Sequence, residues 1–321
     1  MTASHMPVPH RIDTHHHIVP PRYLARRRDE IERIAHVHMP KMVEWTPTIA
    51  IEAMDRSGVA TSITSISSPG CWFGHAADSI EISRECNEYA AQMARDYPGR
   101  FGNFAALPLP DVDGSLREIE HACDVLKADG FGLMTNYGAM WPGDARLAPV
   151  FDELNRRKAV VYFHPHAADY CAGVMPELPA PTLEFPFDTT RAVASLLFSG
   201  TFGRCPDIRF IFSHAGGALP MLAGRMAAIA GTRKELAASI PHGALYEFRR
   251  QYYDIVNATN TVSFNAAREL FGVSQLLFGT DFPFWSPQIW VDQLAALNLN
   301  AADLRAIERD NALRLLPRFG A

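Results

Sequence analysis

Eight short runs of strand-forming residues recur along the chain, each followed by a stretch with helical spacing, and few folds accommodate that order. The runs are Ile12 to His17, Ala60 to Ile66, Phe101 to Ala106, Phe131 to Thr135, Val160 to His164, Ile208 to Phe212, Tyr252 to Val256 and Gln275 to Phe278. Between them the spacing predicts helices from Thr48, as cap, to Gly58, from Asp78 to Tyr97, from Gly114 to Ala128 and from Ala148 to Lys158. Further helices are expected over Asp188 to Phe202, Leu219 to Ala230, Val262 to Phe271, Pro287 to Leu297 and Ala301 to Leu316. Strict alternation of this kind predicts a parallel sheet, and eight units close into a barrel. A chain of 321 residues would allow two domains of about 150 residues each. No break in composition marks a linker, so the expectation is one distorted (β/α)8 TIM barrel over residues 11–321. Residues 1–10 form an N-terminal extension, in which Ser4-His5-Met6 looks like a cloning scar. The charged, Pro-bounded residues 20–47 and the Pro-rich residues 165–187, after strands one and five, are expected as long excursions over the barrel mouth.

Composition narrows the partners. The formal net charge of −5 argues against nucleic acid, and Arg26-Arg27-Arg28 is answered by Asp29, Glu30 and Glu32, so it reads as a solvated helix face. No window approaches the roughly 18 apolar residues of a membrane span. With no signal segment either, no membrane partner is expected and a cytoplasmic location is. Cys71, Cys86, Cys123, Cys171 and Cys205 are widely spaced and odd in number, so they predict neither a disulfide frame nor a thiolate zinc site.

Chemistry enters with Asp13-Thr14-His15-His16-His17. A strand sends alternate side chains the same way, so His15 and His17 leave one face together and His16 leaves the other. A tag fragment or three unrelated surface histidines would be the plain explanation, but a tag is normally a longer run at a terminus. Elsewhere His164 ends strand five, His214 follows strand six and Asp281 follows strand eight. Barrel active sites lie where strands end, and His10, His36, His38, His121 and His242 show no such placement. Three imidazoles and a carboxylate suit one divalent ion, zinc first and manganese next, with a position left open. His15, His17, His164 and Asp281 are the expected ligands. His214 is then the acid/base, since a nearby cation and partial burial tune an imidazole for proton transfer. Phe131 to Asn136 contains no lysine that could bridge two metals, so a mononuclear centre is expected.

These stretches, with His164-Pro165, Ser213-His214-Ala215-Gly216-Gly217, Gly279-Thr280-Asp281-Phe282-Pro283 and Asn311-Ala312-Leu313-Arg314-Leu315, resemble the amidohydrolase superfamily. Within it they resemble the branch of aminocarboxymuconate semialdehyde decarboxylase and the hydroxybenzoate decarboxylases, over residues 11–316. Asn87-Glu88-Tyr89, Pro98-Gly99-Arg100-Phe101 and Leu107-Pro108-Leu109-Pro110 are similar to proteins of the 6-methylsalicylate decarboxylase type. The resemblance implies His15, His17, His164 and Asp281 at the metal, and His214 or Asp281 in proton transfer. Arg225 would hold a substrate carboxylate in a neighbouring subunit's site, which implies a homodimer. The branch's other carboxylate-binding arginine has no match, because the region from His38 to Lys41 offers a histidine and a lysine.

The expected reaction is non-oxidative loss of carbon dioxide from a salicylate-like or related unsaturated acid, with the metal as Lewis acid and template. Trp72, Phe284 and Trp285, from a wider aromatic set with Phe73, Trp141, Phe185 and Phe187, are candidates to pack against the ring. Plain core packing at the mouth is the competing explanation for them. Two other functions fit the residues: a mononuclear hydrolase of an ester, lactone or amide, and a non-catalytic barrel that binds a carboxylate.

Overall fold

A computed structural model describes residues 9–35, 44–171, 174–175 and 177–320. Its strands are β1 (Arg11–His17), β2 (Val59–Ser65), β3 (Phe101–Ala106), β4 (Gly130–Met134), β5 (Val160–His164), β6 (Arg209–Phe212), β7 (Tyr252–Asp254) and β8 (Leu276–Leu277). They pair in sequence order, every neighbour parallel. Closure runs through the backbone beyond β8: Thr14 N donates to Phe278 O at 3.0 Å and His17 N to Phe282 O at 2.8 Å. The expected eight-stranded α/β barrel is therefore the fold.

The helices that pack around it, in chain order, are α1 (Pro21–Ala35), α2 (Pro47–Arg56), α3 (Ala76–Asp96), α4 (Val112–His121), α5 (Ala148–Arg156), α6 (Ala180–Phe198) and α7 (Thr201–Arg204). They continue with α8 (Leu219–Gly231), α9 (Ala244–Arg249), α10 (Thr261–Phe271), α11 (Pro287–Ala296), α12 (Ala301–Arg305) and α13 (Asn311–Leu315). Several boundaries differ from the sequence expectation for local reasons. Thr46, not Thr48, caps α2, its Oγ1 accepting from Ile49 N at 3.2 Å while Pro47 takes the first helical position. α6 starts at Ala180, eight residues before Asp188, and runs through Pro186, so the second excursion is partly helix. The first excursion is also more than a cover. α1 buries Tyr23 and Ile31, and Trp45 is buried as well. The region from His38 to Lys41 lies outside the described residues. Wider π-type turns at Ala122–Leu126 and Ala306–Asp310 interrupt the helices expected to run unbroken.

Arg27 and Arg28 do meet Glu30 and Glu32, at 2.8 and 3.1 Å. The row also reaches α3, with Arg26 on Glu81 at 2.9 Å and Arg27 on Asp78 at 2.5 Å. The exposed pairs of Arg26 and Arg28 add little stability, about 0–1 kcal/mol each, while Arg27 is partly buried between α1 and α3. Asn87 splices α3 onto the end of β3, donating to Ala106 O at 2.9 Å and accepting from Ala106 N at 2.7 Å.

Packing falls into two layers. Between sheet and helices lies the larger core, including Phe163, Phe202, Phe210 and Phe212. Inside the barrel Ile12, Ile63, Phe104, Val160, Tyr162, Ile211 and Leu277 form a plug. Phe104 stacks on Tyr162 at 5.6 Å, and Tyr162 meets the His15 ring edge-on at 5.4 Å, so the plug floors whatever sits at the strand ends. Phe104→Ala should cost about 3–5 kcal/mol in urea unfolding, because so enclosed a site cannot collapse. Val125→Ala, at a position 63% exposed, should stay within about 0.5 kcal/mol.

Candidate metal centre and active site

β1 delivers His15 and His17 to the barrel mouth, β5 delivers His164, and the loop after β8 delivers Asp281. One ligand atom from each of these four buried residues lies within 4.8 Å of the others. His15 Nε2 is 3.1 Å from His17 Nε2. Asp281 Oδ1 is 3.1 Å from His17 Nε2 and 3.3 Å from His15 Nε2. His16 leaves the opposite face, stacking on Phe282 at 4.9 Å and pairing with Asp13 at 2.9 Å.

The outer nitrogens orient the rings. His164 Nδ1 donates to Pro165 O at 2.9 Å, and because a carbonyl only accepts, its Nε2 carries a lone pair. His15 Nδ1 donates to Asp254 Oδ2 at 3.0 Å, which turns its Nε2 toward the centre, and Ser65 Oγ sits 3.3 Å from His17 Nδ1. The two Nε2 atoms at 3.1 Å need a shared proton or a metal ion between them. A divalent ion about 2.0–2.1 Å from each nitrogen would hold them about 2.9–3.4 Å apart, so the donor set fits such an ion.

Charge is distributed to match. Burial opposes charge on His15, but Asp254 and Asp281 outweigh it and lift the imidazole to about 10. Burial dominates at His17 and lowers it, and at His164 burial and the neighbouring histidines push it well down. Burial would raise Asp281, yet the histidines around it hold the carboxyl well below its usual range. The site therefore gathers a carboxylate with two imidazoles held neutral, at His17 and His164, and a third, His15, that the two aspartates hold toward its protonated form.

His214 stands at the rim, Nε2 3.8 Å from Asp281 Oδ2 and Nδ1 buried without a partner among the described residues. Its backbone is left-handed, φ 55°, as are Ala215 at 53° and Asp281 at 55°. L-residues adopt that region at a cost, and such positions concentrate where geometry is imposed for function. Asp254 Oδ1 helps impose it by accepting from His214 N at 3.1 Å. Gly217, φ 66°, lets the next turn approach α6, where an added Cβ would lie 1.9 Å from Pro186 O.

Of the aromatic candidates, Phe284 reaches the centre, its ring 5.6 Å from that of His17. Trp72 is half-buried against the outer core. Trp285 is 43% exposed, packs edge-on to Trp290, and lines a groove of about 200 Å³ with Trp45, Ile49 and Arg56. Arg225 lies on α8, exposed and without an ion pair among the described residues. Asp254 escaped the sequence reading. Extending strand seven to Val256 hid a carboxylate that ends β7 and faces His15, though Tyr-Tyr-Asp at a strand end was the available signal. Asp254→Asn should weaken metal affinity about ten- to hundredfold in a competitive chelator titration, with folding retained.

Known proteins resemble this chain in sequence and in fold. The amidohydrolase family model matches residues 12–318. The decarboxylase yanB of Aspergillus niger is 35% identical over 96% of this chain and 88% of its own length. The 6-methylsalicylic acid decarboxylase of Penicillium expansum is 32% identical over 96% of this chain and 97% of its own. A dihydroxybenzoic acid decarboxylase from a Polaromonas species, solved with manganese and 2-nitroresorcinol, superposes with a TM-score of 0.84. It is 22% identical, with 97% of each chain covered, a likeness of fold. Matched along nearly its whole length, the chain belongs to the amidohydrolase family.

Proposed function

We propose that the protein is a metal-dependent, non-oxidative decarboxylase of a hydroxybenzoate-like aromatic acid. The observation that carries this reading is the cluster of three histidines and Asp281 within 4.8 Å at the strand ends, with His214 beside it. The decarboxylase names of its relatives support the choice of reaction. His15, His17, His164 and Asp281 would hold one divalent ion; zinc suits the donor set, and manganese is the alternative. When bound, the ion supplies Lewis-acid charge for the substrate oxygens.

The rest is done by side chains. Phe284 presents an apolar ring beside His17, against which a flat substrate can stack. Loss of carbon dioxide leaves an electron pair on a ring carbon, which must be protonated. His214, at the rim with Nε2 toward Asp281, is placed to deliver that proton, and Asp281 is the second candidate. The plug beneath excludes water from below. Five free cysteines suit a reducing cytoplasm. A homodimer fits the outer face of α8, where Met221 is 74% and Ile229 42% exposed near Arg225, whose guanidinium could then serve a partner's site.

A panel of hydroxybenzoates, assayed for carbon dioxide with zinc- and with manganese-loaded protein, tests the reading. Turnover should vanish with chelator and return with metal. His214→Ala should lower kcat about a hundredfold or more while metal content is unchanged. Hydrolysis of lactones or esters by a protein inert toward every acid would overturn it.

A further inference from the structure

The turn after β6 carries His214 on backbone that side chains resist. His214, Ala215, Gly216 and Gly217 follow one another with φ of 55°, 53°, 73° and 66°, four residues in the left-handed half of backbone space. Two internal bonds close the turn, Gly216 N to Ser213 O at 3.0 Å and Gly217 N to His214 O at 2.9 Å. In that hand an L-residue's Cβ crowds the following carbonyl, so two successive non-glycine residues stay there only under constraint from outside.

The constraint comes from both ends. At the entrance Asp254 Oδ1 accepts from His214 N at 3.1 Å. At the exit the buried Thr190 of α6 accepts from Ala218 N at 2.8 Å through Oγ1. The same hydroxyl has Pro186 O at 2.8 Å and Gly216 O at 3.3 Å within donor reach, so one side chain grips the backbone on both sides of Gly217. Among the described residues, Asp254 and Thr190 are the side chains that hydrogen-bond to this turn. Packing leaves it no slack. An added Cβ at Gly216 would lie 3.0 Å from Tyr253 Cε1, and Gly217 comes up against Pro186 O.

The same stretch of α6 steadies the ligand side of the mouth. Phe185 packs edge-on to the His164 ring at 6.0 Å, and Asp188 Oδ2 accepts from Ala168 N at 2.8 Å. α6 therefore holds the loop after β5 and the turn after β6 in one frame. We infer that Thr190 is the positioning residue for His214. It touches no reacting atom; it fixes the backbone from which the imidazole comes within 3.8 Å of Asp281. The catalytic consequence rests on the proposed decarboxylase reading, in which His214 delivers the proton, whereas the placement of the imidazole does not.

Thr190→Val removes the hydroxyl at nearly constant volume, and Thr190→Ser keeps it. On manganese-loaded protein with an acid that the parent turns over, Thr190→Val should lower kcat about ten- to hundredfold with KM within about twofold of the parent. Thr190→Ser should keep kcat within about threefold, and metal content should be unchanged in both. Crystal structures should show the His214 ring displaced by about 1 Å or more in Thr190→Val and in place in Thr190→Ser. A folded Thr190→Val with parental kcat, with its loss confined to KM, or with His214 superposing on the parent's overturns the inference. So does a tenfold loss of kcat in Thr190→Ser, which counts even should Thr190→Val not fold. If the parent releases carbon dioxide from no acid, the decarboxylase reading falls, and the place of His214 in the crystal structures still decides the role of Thr190.

Discussion

Asp13 accepts hydrogen bonds at both carboxylate oxygens, and one donor residue, Thr280, is its neighbour only because the barrel is closed. Oδ1 takes His15 N and Thr280 N, each at 3.0 Å. Oδ2 takes Thr280 Oγ1 at 2.6 Å, His16 Nδ1 at 2.9 Å and Ser62 Oγ at 3.3 Å. One fully buried side chain thus ties β1 to β2 and to the segment after β8. A buried carboxylate is tolerable only when its lone pairs are so completely used, and removing it would strand several donors at once. The spacing between His15, His17 and Asp281 follows from this tie, because both backbone segments are held by the same two oxygens.

The centre combines that rigidity with local strain. Asp281 sits in a left-handed backbone held by its N–H bond to His15 O at 2.7 Å, and His214 sits in another held by Asp254. Asp254 acts twice, orienting His15 through one oxygen and the His214 backbone through the other. A candidate ligand and a candidate proton donor therefore share one support, so a disturbance at Asp254 reaches both.

Much of this was legible in the sequence. Strand and helix alternation gave all eight strands and the closed barrel, because periods of two and of 3.6 residues are local properties. His15, His17, His164 and Asp281 stood out together because each lay at or beside the end of a predicted strand, and the structure brings them to one place. The supporting residues were less visible. Asp13, Asp254 and Ser65 have roles set by partners as far as 267 residues away in sequence, as with Asp13 and Thr280. Helix starts at Pro47 and Ala180 were misplaced where proline opens or enters a helix, since proline reads as punctuation until its neighbours are known.

β8 contributes two residues to the sheet, so the seam between the first and last strands is closed mainly by the segment beyond it, from Phe278 to Phe282. His15 and His17 lie on one side of that seam and Asp281 on the other. A cation gripped by all three acts as a clasp on the cylinder, adding about 2.7 kcal/mol against opening there when its concentration is a hundred times its dissociation constant. Metal starvation would therefore be felt as mechanical loosening as well as lost chemistry.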